Sequence, residues 1–213
     1  MLSLPNEGKR KMYKKFFKRA IDIVLSLMGI VVLAIPMLII AAVIKLDSKG
    51  PVIFKQKRIG KGKTEFDIFK YRSMYTETPQ NVPTHQLQGA NSYITRSGKF
   101  IRKYSLDELP QLFNIFIGNM TIIGPRPALW NQYDLISERD KYGANDVKPG
   151  LTGWAQINGR DEIPIELKAK LDGEYVENLS FLFDCKCFIK TVFSVLKHES
   201  VVEGAVEEKE TVG

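Results

Sequence analysis

Two adjacent carboxylates, Asp107 and Glu108, stand in the stretch Arg102-Lys103-Tyr104-Ser105-Leu106-Asp107-Glu108-Leu109-Pro110-Gln111-Leu112. An ionised carboxylate beside a phosphate can act as a nucleophile or as a metal ligand. Leu109, Leu112, Phe113 and Phe116 recur at three- and four-residue spacing, which predicts an amphipathic helix starting just before the pair. Ser105 fits as its N-cap, Pro110 is tolerated in a first turn, and Gly118 and Asn119 fit the stop. Unpaired N–H groups at such a helix start favour negative charge, both an ionised Asp107 and a bound phosphate. A second reading stands beside this one: Ser105-x-x-Glu108 is a capping box, and acidic residues are common in first turns.

Cations that could meet a phosphate lie elsewhere in the chain. Residues 64–72 read as a strand in which period-2 geometry puts Lys70 and Arg72 on one face. Two cations side by side can clamp a diphosphate, although on their own they read first as a solvated strand face. Gly124-Pro125-Arg126-Pro127 holds an arginine between two prolines, which fix the backbone and pre-aim the guanidinium. Such an arginine suits an anion or a flat ring, or is incidental to a rigid turn. Arg102 and Arg160 are further anion candidates.

The elements that must position these groups follow from pattern and composition. The chain has 213 residues, enough for one domain with additions. Its two histidines, His85 and His198, exclude a histidine-rich metal site. Cys185 and Cys187, one residue apart, suit neither a disulfide framework nor a helical metal pair, and imply a reducing compartment. The net charge of +7 is unevenly spread: twelve Lys/Arg against three Asp/Glu up to Arg58, then nineteen against twenty-one. The excess therefore surrounds residues 23–44, 22 consecutive residues without a charge. That pattern fits an anionic membrane surface better than a nucleic-acid groove.

As one straight helix, residues 23–44 would run roughly 33 Å, enough to span a bilayer. Pro36 interrupts the run, and both flanks are basic, so the positive-inside rule asks both ends to stay on the cytoplasmic side. A helix broken near Pro36 that enters and leaves by one face satisfies both demands; an ordinary kinked transmembrane helix is the alternative. Asp22 at its edge is expected to pair with Arg19 or Lys18. Residues 51–58 and 64–72 predict a β-hairpin turning at Gly60-Lys61-Gly62-Lys63. Residues 76–92 read as a loop, with a short helix around 98–103. Thr121-Ile122-Ile123 reads as a short buried strand, residues 128–141 as a helix, 147–153 as a turn and 154–157 as extended. Residues 163–176 and 181–196 read as helices. The last carries an apolar stripe that suits a membrane interface or a core. The tail from Glu203 is acidic and reads as disordered.

Five ordered motifs together resemble the monotopic phosphoglycosyl transferases, also called bacterial sugar transferases. They are Lys18-Arg19-Ala20-Ile21-Asp22, Phe69-Lys70-Tyr71-Arg72-Ser73-Met74, residues 105–112, Ile123-Gly124-Pro125-Arg126-Pro127, and Lys148-Pro149-Gly150-Leu151-Thr152-Gly153-Trp154. The resemblance covers residues 17–196. It implies an α+β fold: a small, mostly helical, membrane-associated domain with a β-hairpin and a re-entrant N-terminal helix broken near Pro36. Where such members often place a serine before that proline, this chain has Ile35. The implied organisation is a basic lead-in and re-entrant helix over 1–46, a catalytic domain over 47–198 and an acidic tail over 199–213.

The resemblance further implies transfer of a sugar phosphate from a UDP-sugar to polyprenyl (undecaprenyl) phosphate, releasing UMP, as a first membrane step of bacterial glycan assembly. Asp107 becomes the nucleophile of a covalent aspartyl phosphosugar intermediate in a ping-pong mechanism. Glu108 assists, and Mg²⁺ is held by Asp107 and Glu108. Lys70, Arg72, Arg102 and Arg160 become phosphate ligands, and Arg126 a ligand for the uridine end. The expected setting is the cytoplasmic face of the bacterial inner membrane, with no nucleic-acid partner; a homodimer is compatible with the sequence. Two competing readings, a membrane-anchored scaffold without activity and a nucleic-acid binder, leave the carboxylates and arginine motifs unexplained. The sugar itself is not legible.

Overall fold

The longest apolar run folds as two helices. In the computed structural model, which describes residues 7–79, 89–159 and 163–196, the chain starts with α1 (Glu7–Met12). It passes through a π-helical turn (Tyr13–Phe17) into α2 (Lys18–Val32). After Leu33 alone, α3 (Ala34–Asp47) sets off at a bend of 62°. Pro36 has no N–H to offer the Val32 carbonyl, and its ring crowds that carbonyl. The break therefore falls at Leu33, three residues before the proline, which sits in the first turn of α3 where no N–H partner is missed. At about 22 and 21 Å, neither helix reaches across a hydrocarbon core of ~30 Å. No single described helix is long and apolar enough to cross a membrane, whereas the bent pair together has the length and composition. Val31, Val32, Ile35 and Leu38 around the bend are all exposed.

The basic lead-in joins these helices to the rest. Lys18 pairs with Asp184 at 2.6 Å, and Arg19 caps α5 (Gln111–Ile117), donating to the Ile115 and Phe116 carbonyls at 2.6 and 2.7 Å. Asp22 therefore pairs with neither. It is buried and accepts from the Thr121 hydroxyl and the Ile122 N–H. A buried carboxylate takes whatever donors close around it, and here they come from a strand a hundred residues away.

β1 (Ile53–Ile59) and β2 (Glu65–Tyr71) form the expected antiparallel hairpin, turning through Lys61–Lys63. α4 (Arg96–Lys103) and α5 follow, then β3 (Thr121–Ile123), α6 (Tyr133–Asp140) and β4 (Gly150–Thr152). β3 and β4 pair in parallel, so residues 150–152 are a strand where a turn was expected. Their backbones approach so closely that a Cβ on Gly150 would lie 2.1 Å from the Gly124 nitrogen. α6 starts five residues later than the pattern suggested, because Leu129 bridges to Arg58 of β1. Residues 154–157 are helical, in α7 (Trp154–Gly159), rather than extended; α8 (Ile165–Asn178) and α9 (Phe181–Leu196) are the last described elements.

The described fold is thus mixed and mostly helical, with one hairpin. One core cluster joins Tyr13, Ile123, Tyr175, Leu179 and Cys187; another joins Met37, Ile44, Tyr71 and Ile101. The apolar stripe of α9 does not fill a core: Phe181, Leu182, Phe188, Ile189, Val192 and Phe193 are exposed, while Asp184 and Cys187 point inward. On α5, likewise, Phe113 and Phe116 are exposed, and Gln111, Asn114 and Ile115 are buried. The acidic tail, from residue 199 on, lies outside the described residues.

Candidate active site

α4 ends at Lys103 with Tyr104 as its C-cap, and Ser105 reverses the chain in the left-handed region (φ 54°, ψ 24°). A 3-10 turn, Leu106–Glu108, follows, and α5 begins only at Gln111 with Pro110 at its N-cap. The expected cap is not made: the Ser105 hydroxyl caps nothing among the described residues. Glu108 donates its N–H to the Ser105 carbonyl at 3.2 Å, but its carboxylate turns elsewhere. The dyad therefore precedes α5 rather than opening it. Its charge environment comes from side chains, not from a helix terminus.

Those side chains arrive from two other elements. Lys70, next to the end of β2, places Nζ 2.9 Å from Glu108 Oε1 and 3.8 Å from Asp107 Oδ2. Arg126, from the Pro-Arg-Pro segment after β3, donates from Nη2 to the same Glu108 Oε1 at 3.2 Å. Asp107 is buried. Burial of the Glu108 carboxyl works to raise its pKa, but the charges and hydrogen bonds of Lys70 and Arg126 outweigh it and hold the group at about 2. Glu108 is ionised throughout the physiological range.

β2 is held against α5 by a residue that the apolar spacing does not single out. Asn114 is fully buried, accepts from the Phe69 N–H and donates to the Asp67 carbonyl, both at 2.8 Å. It thus takes the place of a strand partner beside Lys70. A polar residue among the apolar positions of α5 was the available signal.

Of the other expected cations, Arg72 is not in the cluster. Its guanidinium donates to the Lys49, Ser48 and Ile44 carbonyls and the Ser48 hydroxyl, closing the C-terminal end of α3, where carbonyls lack helical partners. β2 ends at Tyr71, and the carbonyls beside it capture the next side chain. The structure thus does not bring Arg72 together with Lys70. Arg102 is buried in the last turn of α4, and its carbonyl accepts the Ser105 N–H at 3.0 Å, so it braces the turn that carries the dyad. Arg160 lies outside the described residues.

The cluster thus sets two cations around two neighbouring carboxylates at the meeting of three segments. Among the described residues no three His, Cys, Asp or Glu side chains gather as a metal cage. Two carboxylates nonetheless fit Mg²⁺, which keeps several waters and completes its shell with substrate phosphates. Cations, a buried carboxylate and a magnesium-type donor pair together suit phosphoryl transfer.

Comparison with known proteins points the same way. The pattern described as bacterial sugar transferase matches residues 13–198. The uncharacterized sugar transferase EpsL of Bacillus subtilis is 39% identical over 184 residues, covering 86% of this chain and 89% of its own length. Undecaprenyl-phosphate glucose phosphotransferase of Komagataeibacter xylinus is 40% identical over 194 residues, 85% of this chain but 35% of the relative. The UDP-glucose:undecaprenyl-phosphate glucose-1-phosphate transferase of Escherichia coli is 40% identical over 187 residues, 84% of this chain and 40% of the relative. The chain thus spans most of EpsL and less than half the length of the other two.

Proposed function

The chain belongs to the bacterial sugar transferase family, and we propose that it moves a sugar phosphate from a UDP-sugar to a polyprenyl phosphate of the undecaprenyl type. One observation carries the reading: Lys70 and Arg126 converge on Glu108, beside the buried Asp107. Names of relatives that specify UDP-glucose and undecaprenyl phosphate support the classes of donor and acceptor.

Attack on a diphosphate is slow because nucleophile and phosphate repel each other, and fixed cations offset that repulsion. In the proposed sequence an Asp107 oxygen attacks the phosphorus that bears the sugar. The bond to the UMP oxygen breaks, UMP leaves with its electron pair, and an aspartyl phosphosugar remains. A phosphate oxygen of the lipid then attacks the same phosphorus, and Asp107 leaves as carboxylate. Splitting the transfer this way means that the water-soluble donor and the lipid acceptor need not be bound together. In this reading Lys70 meets the phosphate at Asp107, and Arg126 the uridine end of the donor. Glu108 orients both cations. Mg²⁺, held by Asp107 and Glu108, would supply further charge neutralisation at the diphosphate. The bent α2–α3 pair, with basic flanks and exposed apolar faces, is read as re-entrant, keeping the site at the cytoplasmic face where UDP-sugars are made.

The test is a UMP-release screen across UDP-sugars with polyprenyl phosphate and Mg²⁺. Donor labelled at the sugar phosphate should also leave label on a peptide containing Asp107 when the acceptor is withheld. Normal turnover with no labelled peptide would replace the two-step scheme by direct transfer. No UMP from any UDP-sugar would sink the reading.

A further inference from the structure

The Pro125-Arg126-Pro127 segment poses a problem of anchoring. Two of its three residues have no N–H, so the segment can be fixed chiefly through its carbonyls. Each of the three is taken by a different element. The Pro125 carbonyl accepts the Gly150 N–H of β4 at 2.8 Å, and the Pro127 carbonyl accepts from Arg58 of β1 at 3.0 Å. The Arg126 carbonyl accepts from Arg139 Nη2 of α6 at 2.9 Å. Arg139 is held in turn from α8. Its Nε and Nη2 both donate to Asp172 Oδ2, at 2.8 and 2.6 Å, and both side chains are buried.

We infer that the Arg139–Asp172 pair is a strut that sets the position of Arg126 against Glu108, and that both are positioning residues of the site. A buried ion pair is a poor device for stability alone, since desolvation offsets most of its attraction. Here Asp172 Oδ1 finds no hydrogen-bond partner among the described residues, so the pair does not even use its full bonding capacity. What it does secure is direction. Nη2 of the rigid guanidinium fork serves both the carboxylate and the Arg126 carbonyl, so moving α6 against α8 would move Arg126. Neither residue touches the dyad, so their effect passes through Arg126. The inference rests on the reading of Arg126 as a donor ligand.

The experiment uses the full chain in detergent or bilayer discs, with UMP release giving kcat and KM and thermal unfolding giving Tm. Arg139→Met with Asp172→Leu removes both charges together, so no buried charge is stranded. This double variant should unfold within a few degrees of wild type while kcat falls roughly 10- to 100-fold, the scale of a small misplacement. Added to Arg126→Ala it should cost nothing further, because coupled residues are not additive. A wild-type kcat in the double variant, or losses that multiply with Arg126→Ala, would overturn the strut. Should the double variant not fold, Asp172→Asn carries the same cycle against Arg126→Ala, with the same two outcomes deciding. An inactive wild type, or an Arg126→Ala variant of full activity, would instead remove the donor-site reading and the strut with it. An inactive Arg126→Ala beside a full-speed double variant removes the strut alone.

Discussion

Two acid–cation clusters in this chain use the same residue types to opposite ends. Around Asp184, Lys18 and Tyr13 donate to one oxygen at 2.6 Å each, and Tyr175 donates to the other at 2.8 Å. Burial first, and Asp184 next to it, push the Tyr175 hydroxyl well above its ordinary pKa, so it stays a donor. The result is a saturated joint that ties the lead-in helix to α8 and α9. Around the dyad, two cations share one oxygen of Glu108, and Lys70 stops 3.8 Å from Asp107, too far for a hydrogen bond. The joint spreads its donors over both oxygens of one acid; at the site Lys70 and Arg126 crowd a single oxygen of Glu108, with Asp107 buried beside them. The backbone differs too. The joint stands on helices, whereas the dyad follows Ser105, one of two non-glycine residues with positive φ among those described. Backbone strain clusters at functional sites, and here it stands two residues before the buried Asp107.

The strongest way to break this division is to remove one acid from each cluster. Asp107→Asn should lower turnover by roughly 10³-fold or more, with unfolding shifted by less than about 1 kcal/mol; UMP release and thermal unfolding measured on one preparation decide it. Asp184→Ala should do the reverse. Stranding Lys18 and two hydroxyls costs about 3–5 kcal/mol of stability, while the folded fraction keeps a near wild-type kcat. A large kcat loss at unchanged stability in Asp184→Ala would erase the contrast.

Glu108→Gln tests the middle of the comparison. A capping glutamate tolerates glutamine, but this one answers to two cations, so a loss of ~10²-fold in kcat is expected. Stability against pH gives a second measure. The folded pKa of Glu108, about 2, lies below its ordinary 4.5. Its pairing therefore contributes stability above pH 4.5, and that contribution is lost as pH falls towards 2. Between pH 5 and pH 3 the wild type should lose stability that Glu108→Gln does not. Parallel curves for the two would show that the pairing carries no net energy.

The sequence made legible whatever depends on near neighbours. The hairpin, the break ahead of Pro36, the helix stop at Gly118 (φ 109°) and the carboxylate pair all announce themselves within a few residues. Lys70 and Arg126 were found as chemistry without a partner, and the fold brings them to Glu108. What stayed hidden depends on distant geometry. Strand periodicity puts Arg72 beside Lys70, but the carbonyl end of α3 takes its guanidinium. Periodicity groups Phe113 and Phe116 on one apolar face without saying what covers it, and both are exposed. Arg139 and Asp172, on separate helices, carry no local signal of their union.

Ser105 gives the smallest effect and separates the two readings of the dyad's turn. As an N-cap it would lose about 0.5–2 kcal/mol on replacement by alanine and only a few tenths on replacement by glycine. The observed geometry reverses that order. The hydroxyl caps nothing among the described residues, and φ is 54°, a region that disfavours side chains by roughly 1–2 kcal/mol per residue. Alanine removes no cap and keeps the strain, so Ser105→Ala should leave unfolding within about 0.5 kcal/mol of wild type. Glycine relieves the strain and loses part of the gain to unfolded-chain entropy, so Ser105→Gly should stabilise by about 0.5–1 kcal/mol. If strain at this turn helps aim Asp107, the same glycine should also slow UMP release a few-fold, because a looser turn holds the carboxylate less firmly. A destabilised alanine variant would restore the cap. A stabilised glycine variant at full speed would show that the strain is a by-product of the turn and not part of the site.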